Sequence, residues 1–330
     1  MQNYTNSPYK IFLLTSFALI AFAANSVFCR LALGEQQVDA GSFTVIRLLS
    51  GSIFLAIFLS VKHFYFNADS LDKKGLSNKG SKSNNISSQN SNTKSDNSKN
   101  NNSENSTSKG SWLNAIWLFV YAMTFSYAYI QLDTATGALV LFATVQVTML
   151  LTRVLKGHLL SRAELLGLIL AIAGFVYLLA PQVSSPSIVA FALMCISGIS
   201  WAFYTLAGKK SVDPTSDTIF NFFRTLPFVF IFVLINMDKT FLTLEGVIYA
   251  ILSGVLASAV GYLLWYKALK DLRHNVAAVV QLLVPVLAAI AGFIFLGESV
   301  STVFVISSLI ILSGILLVIK NPTLSVTRSQ

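Results

Sequence analysis

Apolar residues run through this chain in blocks of about twenty, each bounded by a few polar residues. A block of that length is what an α-helix rising about 1.5 Å per residue needs to cross a hydrocarbon core of roughly 30 Å. The block edges predict helices at 11–31, 39–61, 112–131, 134–153, 163–181, 186–208, 216–236, 245–266, 275–296 and 300–319. The expected fold is therefore an all-α integral membrane protein of ten transmembrane helices, an even number that puts both termini on one side.

One segment breaks the pattern. Residues 63–111 are dominated by Ser, Asn and Lys, in runs such as Ser83-Asn84-Asn85 and Lys99-Asn100-Asn101-Asn102. Such a stretch cannot bury enough apolar area to offset the entropy of ordering it, so a disordered insert is expected. Asn85-Ile86-Ser87, Asn101-Asn102-Ser103 and Asn105-Ser106-Thr107 fit the glycosylation pattern, as chance matches do in any Asn/Ser-rich tract. The first block, with Lys10 before it and Ala23-Ala24 towards its end, has the parts of a secretory signal. Cleavage there would leave the first half without its first helix, so the block reads as a span.

Sliding the chain by 140 residues sets Phe125–Leu179 against Trp265–Ile319 without a gap. Ala128 then matches Ala268, Leu132 matches Leu272, Gly157 matches Gly297, Ser161 matches Ser301 and Gly174 matches Gly314. Upstream, Val45-Ile46-Arg47 falls against Phe222-Phe223-Arg224. Five helices per half is an odd number, so the second half enters the membrane from the opposite side, the inverted-repeat plan of many secondary transporters. The expected organisation is a first five-helix repeat in 1–62 and 112–181, the insert at 63–111, a second repeat at 182–321 and a tail at 322–330.

Composition sharpens this picture. The chain is 54% apolar and 11% charged, against about 25% charged in soluble domains. The net charge of +9 does not form the contiguous basic patch that nucleic acid requires, because Lys and Arg fall in short loops. With the N-terminus inside, the cytoplasmic loops and tails hold Lys10, Arg153, Lys156, Arg162, Lys209, Lys210, Lys267, Lys270, Arg273, Lys320 and Arg328, besides the lysines of the insert. The outer loops hold only Lys239. This asymmetry predicts cytoplasmic N- and C-termini in a cell membrane, and an insert whose glycosylation triplets stay bare. Cys29 and Cys195 lie within predicted helices without a C-x-x-C partner, so neither a disulfide framework nor a zinc site is indicated.

Polar groups inside apolar blocks are the candidates for chemistry. Arg47 and Arg224 each lie about nine residues into a predicted helix, near the bilayer middle. Two readings stand for both: a contact to an anion or carboxylate in a transport path, or a structural guanidinium that caps carbonyls and ties helices together. Pro285 removes a backbone hydrogen bond in the ninth helix and frees the carbonyl of Gln281. Gln146 lies beside the repeat partner of Pro285, so both halves carry polar groups at interrupted or polar helix centres, which marks a midplane site or a passive kink. Asn25, Trp201, Tyr204 and Tyr262 complete the candidate substrate-binding set, with Ser26, Asn221, Trp265 and Tyr266 as further polar or amphipathic groups. Ser253, Ala257 and Gly261 form a small-residue stripe that suits close helix packing. Asp39, Asp133, Glu164, Glu245 and Glu298 all lie near helix ends, and no H-E-x-x-H, G-x-S-x-G or phosphate-loop motif occurs. No enzyme, cofactor or metal site is therefore expected, and the partners implied are a small-molecule substrate and the lipid bilayer, with the oligomeric state unspecified.

The sequence resembles the EamA-type members of the drug/metabolite transporter superfamily. The residues carrying the resemblance are Val38-Asp39-Ala40 leading to Arg47, Gly137–Val140 and Leu178-Leu179-Ala180-Pro181 in the first half. In the second they are Gly261–Leu269, Gln281, Val284-Pro285-Val286 and Phe295-Leu296-Gly297-Glu298. The resemblance implies a ten-helix carrier with a central cavity between inverted repeats, moving metabolites and often exporting amino acids or related compounds. The chain departs from the family pattern at His158, where a glutamate is common, and at Gln146, where a proline is common. A different class also fits the sequence: a membrane scaffold or regulatory protein acting through its cytoplasmic insert.

Overall fold

The computed structural model describes residues 8–80, 110–157, 159–179, 187–209, 211–236, 240–272 and 274–320. Among them the secondary structure is helical, apart from one isolated antiparallel bridge between Val38 and Leu242. The helices are α1 (Pro8–Gly34), α2 (Ala40–Gly80), α3 (Trp112–Tyr129), α4 (Thr134–Leu155), α5 (Arg162–Leu179), α6 (Ser187–Gly208), α7 (Pro214–Asn236), α8 (Leu244–Leu252), α9 (Gly261–Asp271), α10 (His274–Gln281), α11 (Leu283–Leu296) and α12 (Thr302–Lys320). A π-helical segment, Ser253–Val260, joins α8 to α9 without a turn between them. Among the described residues eight spans are long and apolar enough to cross a membrane, with α8 through α9 counting as one and the end of α10 counting with α11. Their flanks carry exposed Ile53, Ile57, Phe230, Ile290 and Phe293, as a surface facing lipid requires. This is a multi-pass membrane protein.

Two elements differ from the sequence expectation. The apolar part of α2 ends at Val61, yet the helix is described to Gly80, well into the predicted insert. Residues 62–74 contain no Gly or Pro, so nothing in their backbone chemistry stops a helix that has already been nucleated in the bilayer. The second difference is the interruption near Pro285. It falls at Leu282, which turns between α10 and α11, because the proline ring cannot accept a regular turn on its N-terminal side. The glycosylation triplets, His158, Ala180-Pro181 and the 322–330 tail lie outside the described residues.

The packing follows a pattern of exchange. α3 packs on α6 as α8 and α9 pack on α1, and α4 packs on α6 as α11 packs on α1. α3 meets α7 as α8 meets α2, while α5–α12, α4–α11 and α2–α7 pair directly. The core these contacts enclose is rich in rings and small residues, with Phe22, Phe125, Tyr129, Trp201, Tyr262 and Trp265 buried beside Ala18, Ala122, Ala202 and Ala259.

One end of the bundle is stitched across its halves. Asp39 caps α2 by accepting from the Ser42 amide (2.8 Å), and its second oxygen accepts from the Phe241 amide (3.0 Å). Thr243 caps α8 and donates its hydroxyl to the Gln37 carbonyl at 2.8 Å. At the same end Glu298 accepts from the amide and hydroxyl of Thr134, capping α4, and pairs with Arg30 at 3.4 Å. Arg30 also donates to the carbonyls of Tyr129 and Ile130, so α1, the α3–α4 connection and the end of α11 are held together.

Candidate functional site

Arg47 is only 1% exposed, in the middle of the bundle. Its Nε donates to the Ser258 hydroxyl (3.0 Å), and one terminal nitrogen donates to the hydroxyls of Tyr121 (3.1 Å) and Tyr262 (3.3 Å). The guanidinium also lies over the rings of Tyr121 and Phe125, at 5.3 and 5.2 Å, an arrangement in which ring faces stabilise a cation. Its other terminal nitrogen, Nη1, has no hydrogen-bond partner, and no carboxylate among the described residues pairs with it.

Asn25 extends the same network. Its amide donates to Tyr121 (3.3 Å) and its carbonyl oxygen accepts from Ser253 (2.6 Å). The π-helical segment therefore supplies two hydroxyls, Ser253 to Asn25 and Ser258 to Arg47. A π-turn widens the helix and shifts side chains from their α-helical register, and such turns are frequent at functional sites. Gly254 explains how this segment comes so near α2: a Cβ there would run into the Arg47 carbonyl and the Ser50 hydroxyl.

An aromatic column leads away from Arg47. Trp201 stacks obliquely on Tyr121 (4.9 Å) and Tyr262 (4.7 Å), the two rings whose hydroxyls accept from the arginine. Tyr204 follows at 5.6 Å from Trp201, and Tyr266 at 6.1 Å from Tyr204. Phe22 sits edge-on to Trp201, Trp265 and Tyr262, at 5.9, 5.8 and 6.0 Å, filling the space among them. The indole N–H groups of Trp201 and Trp265 are buried without a partner. Tyr266 at the far end lines a cavity of about 640 Å³ between α2, α7 and α9, which also touches Lys267, Lys270 and Asp271. A separate cleft of about 370 Å³ lies at the stitched end, beside Asp39, Tyr127 and Phe241.

The structure thus gathers Asn25, Arg47, Trp201, Tyr204 and Tyr262 into one cluster. Gln146 and Gln281 meet each other, the first donating to the second at 3.4 Å, on α4 and α10 beside the break that precedes Pro285. Arg224 is placed elsewhere. It lies against Gly110 and over the Trp112 ring (5.7 Å), at the start of α3, where Asp217 and Asn221 accept from the amides of Gly110 and Ser111. Trp112 and Tyr121 are nine residues apart on α3, about 13 Å along its axis, so the two arginines sit at different levels of the bundle. Tyr121, Ser258 and the π-helical geometry were not legible as site features in the sequence. Tyr121 carried a signal, as a phenol near the centre of an apolar block.

Three comparisons bear on identity. Residues 188–320 match the EamA-like transporter family. An uncharacterized protein of Pseudomonas aeruginosa is 39% identical over 310 residues, 94% of each chain, and an uncharacterized transporter of Archaeoglobus fulgidus is 30% identical over 58% of this chain and 70% of its own. A solved crystal structure, 16% identical, superposes with a TM-score of 0.54 over 92% of this chain and 96% of its own, a likeness of fold. From the family match and the span of these relatives, the chain belongs to the EamA-like transporter family.

Proposed function

We propose that the protein is a secondary carrier that moves small metabolites by alternating access, through a site between two inverted five-helix repeats. The reading of ten crossings is supported by the eight candidate spans together with α3 and α5, each 18 residues and packed within the bundle. The exchange in the packing supports the inverted plan: α3–α6, α4–α6 and α3–α7 have counterparts in α8/α9–α1, α11–α1 and α8–α2, and α5–α12, α4–α11 and α2–α7 pair with each other. The lysine and arginine distribution favours cytoplasmic termini in a cell membrane, which makes the stitched end the outer one and puts the 640 Å³ cavity on the cytoplasmic side.

The observation that carries the reading is the Arg47 cluster. A guanidinium, an amide, two phenols and two serine hydroxyls from α1, α2, α3, the π-segment and α9 meet at the centre of a bundle whose flanks face lipid. Hydrocarbon tolerates such groups only where protein or a ligand satisfies them, and a midplane polar site between repeats is what an alternating-access carrier needs. Amino acids or related compounds, moved outward, are the cargo that family membership suggests. The test is uptake: purified chain in liposomes, offered a mixed metabolite pool without ATP, should accumulate a subset of compounds by mass spectrometry that empty liposomes exclude. No accumulation over empty liposomes, from correctly inserted protein, overturns the carrier.

A further inference from the structure

Resting on the carrier reading, we infer that the substrate is a small organic carboxylate, anchored by the free Nη1 of Arg47, with its apolar body in the space that Phe22 fills. Three N–H groups carry this: Arg47 Nη1, Trp201 Nε1 and Trp265 Nε1 are each buried and without a partner. All three can only donate, so the group that satisfies them must accept. They belong to one neighbourhood. Trp201 rests on the two tyrosines that accept from Arg47, and Phe22 lies edge-on to both tryptophans and to Tyr262.

The charge balance points the same way. A guanidinium at this depth requires a counter-charge or dense hydrogen bonding, and Arg47 has three neutral hydroxyls and two ring faces in place of a carboxylate. The nitrogen left over, Nη1, can give a charge-assisted hydrogen bond to one carboxylate oxygen, stronger than a bond to a neutral acceptor, and the indole N–H groups nearby are further donors for an acceptor-only group. Phe22, edge-on to three rings of the cage and tilted against Phe142, is the side chain that a substrate body would replace. No ion pair among the described residues draws on this cluster, so an amino group would meet hydroxyls and ring faces and no carboxylate there.

The test measures binding without transport. Full-length protein in detergent is titrated with phenylacetate, phenylacetamide, phenylalanine and phenylalaninamide while tryptophan fluorescence is followed. At least one carboxylate should give a saturable change, with its amide at least about tenfold weaker, the scale of a lost charge-assisted hydrogen bond. Phenylacetate outranking phenylalanine assigns the site to simple organic acids, and the reverse assigns it to amino acids. Arg47→Lys should remove the preference for carboxylate over amide. Should that variant fail to fold, Phe22→Ala serves instead, and it should keep the preference while tightening the aromatic probes. Amides binding as well as acids, chloride producing the same change, or no saturable carboxylate response each overturn the inference. Because no flux is read, carboxylate binding without uptake would sink the carrier and spare the site, whereas uptake of uncharged compounds without carboxylate binding would do the opposite.

Discussion

Arg47 and Arg224 look alike in sequence and differ in the folded protein. Each follows two apolar residues in the second apolar block of its half, at similar distance from the block's start. Arg47 is sealed among Tyr121, Tyr262 and Ser258, drawing on both halves and keeping Nη1 unpartnered. Arg224 is partly exposed and faces the first turn of α3, where Trp112 covers it and Gly110 touches it. The surroundings of a membrane arginine, more than its distance along the helix, separate a ligand contact from a brace. One has donors left over at the centre of the bundle; the other helps to seat the end of a helix.

The largest effect expected is at Arg47. Arg47→Leu removes three charge-assisted hydrogen bonds and the anchor, and uptake should fall by about a hundredfold or more in proteoliposomes normalised for reconstituted protein. Gly254→Leu tests whether the π-segment must lie on α2: its side chain collides with the Arg47 carbonyl and Ser50, and thermal unfolding in detergent should show a loss of about 1–3 kcal/mol. Glu298→Ala uncaps Thr134 and unpairs Arg30, costing about 1 kcal/mol, and should loosen the stitched end so that a cysteine placed at Thr134 becomes faster to label. Arg224→Leu should change uptake by no more than about twofold, since Arg224 lies at the start of α3, against Trp112 and Gly110, and not at the Arg47 cluster. Smallest of all, replacing 81–109 with a short Gly/Ser linker should leave uptake unchanged, provided Gly110 stays. Its φ of +69° and its contact with Asn221 and Arg224 leave no room for a side chain.

Much of the architecture was legible because bilayer thickness writes itself into block length, and the helices of the described residues each begin in or beside a block, with α2 running on past its own to Gly80. The polar groups of the candidate cluster were legible where polarity stood out against hydrocarbon, as at Asn25, Arg47 and Tyr262. What could not be read was partnership. Ser258 looks like packing until Arg47 is seen to donate to it, and a π-turn leaves no mark in a sequence of small apolar residues such as Gly254-Val255-Leu256-Ala257. Arg224 was placed at the same level as Arg47 because helix depth was counted from its own block. The start of α3, which decides its surroundings, belongs to a segment 110 residues earlier in the chain.

The comparison between the two arginines is tested most directly by reconstituting Arg47→Lys and Arg224→Lys beside the unaltered chain and measuring uptake from one metabolite pool. Both variants keep the charge and lose the planar fork. Arg47→Lys should lose at least about tenfold of the flux while Arg224→Lys stays within about twofold of the unaltered protein. Equal losses, or a larger loss at Arg224, would contradict the placement of the substrate at the Arg47 cluster.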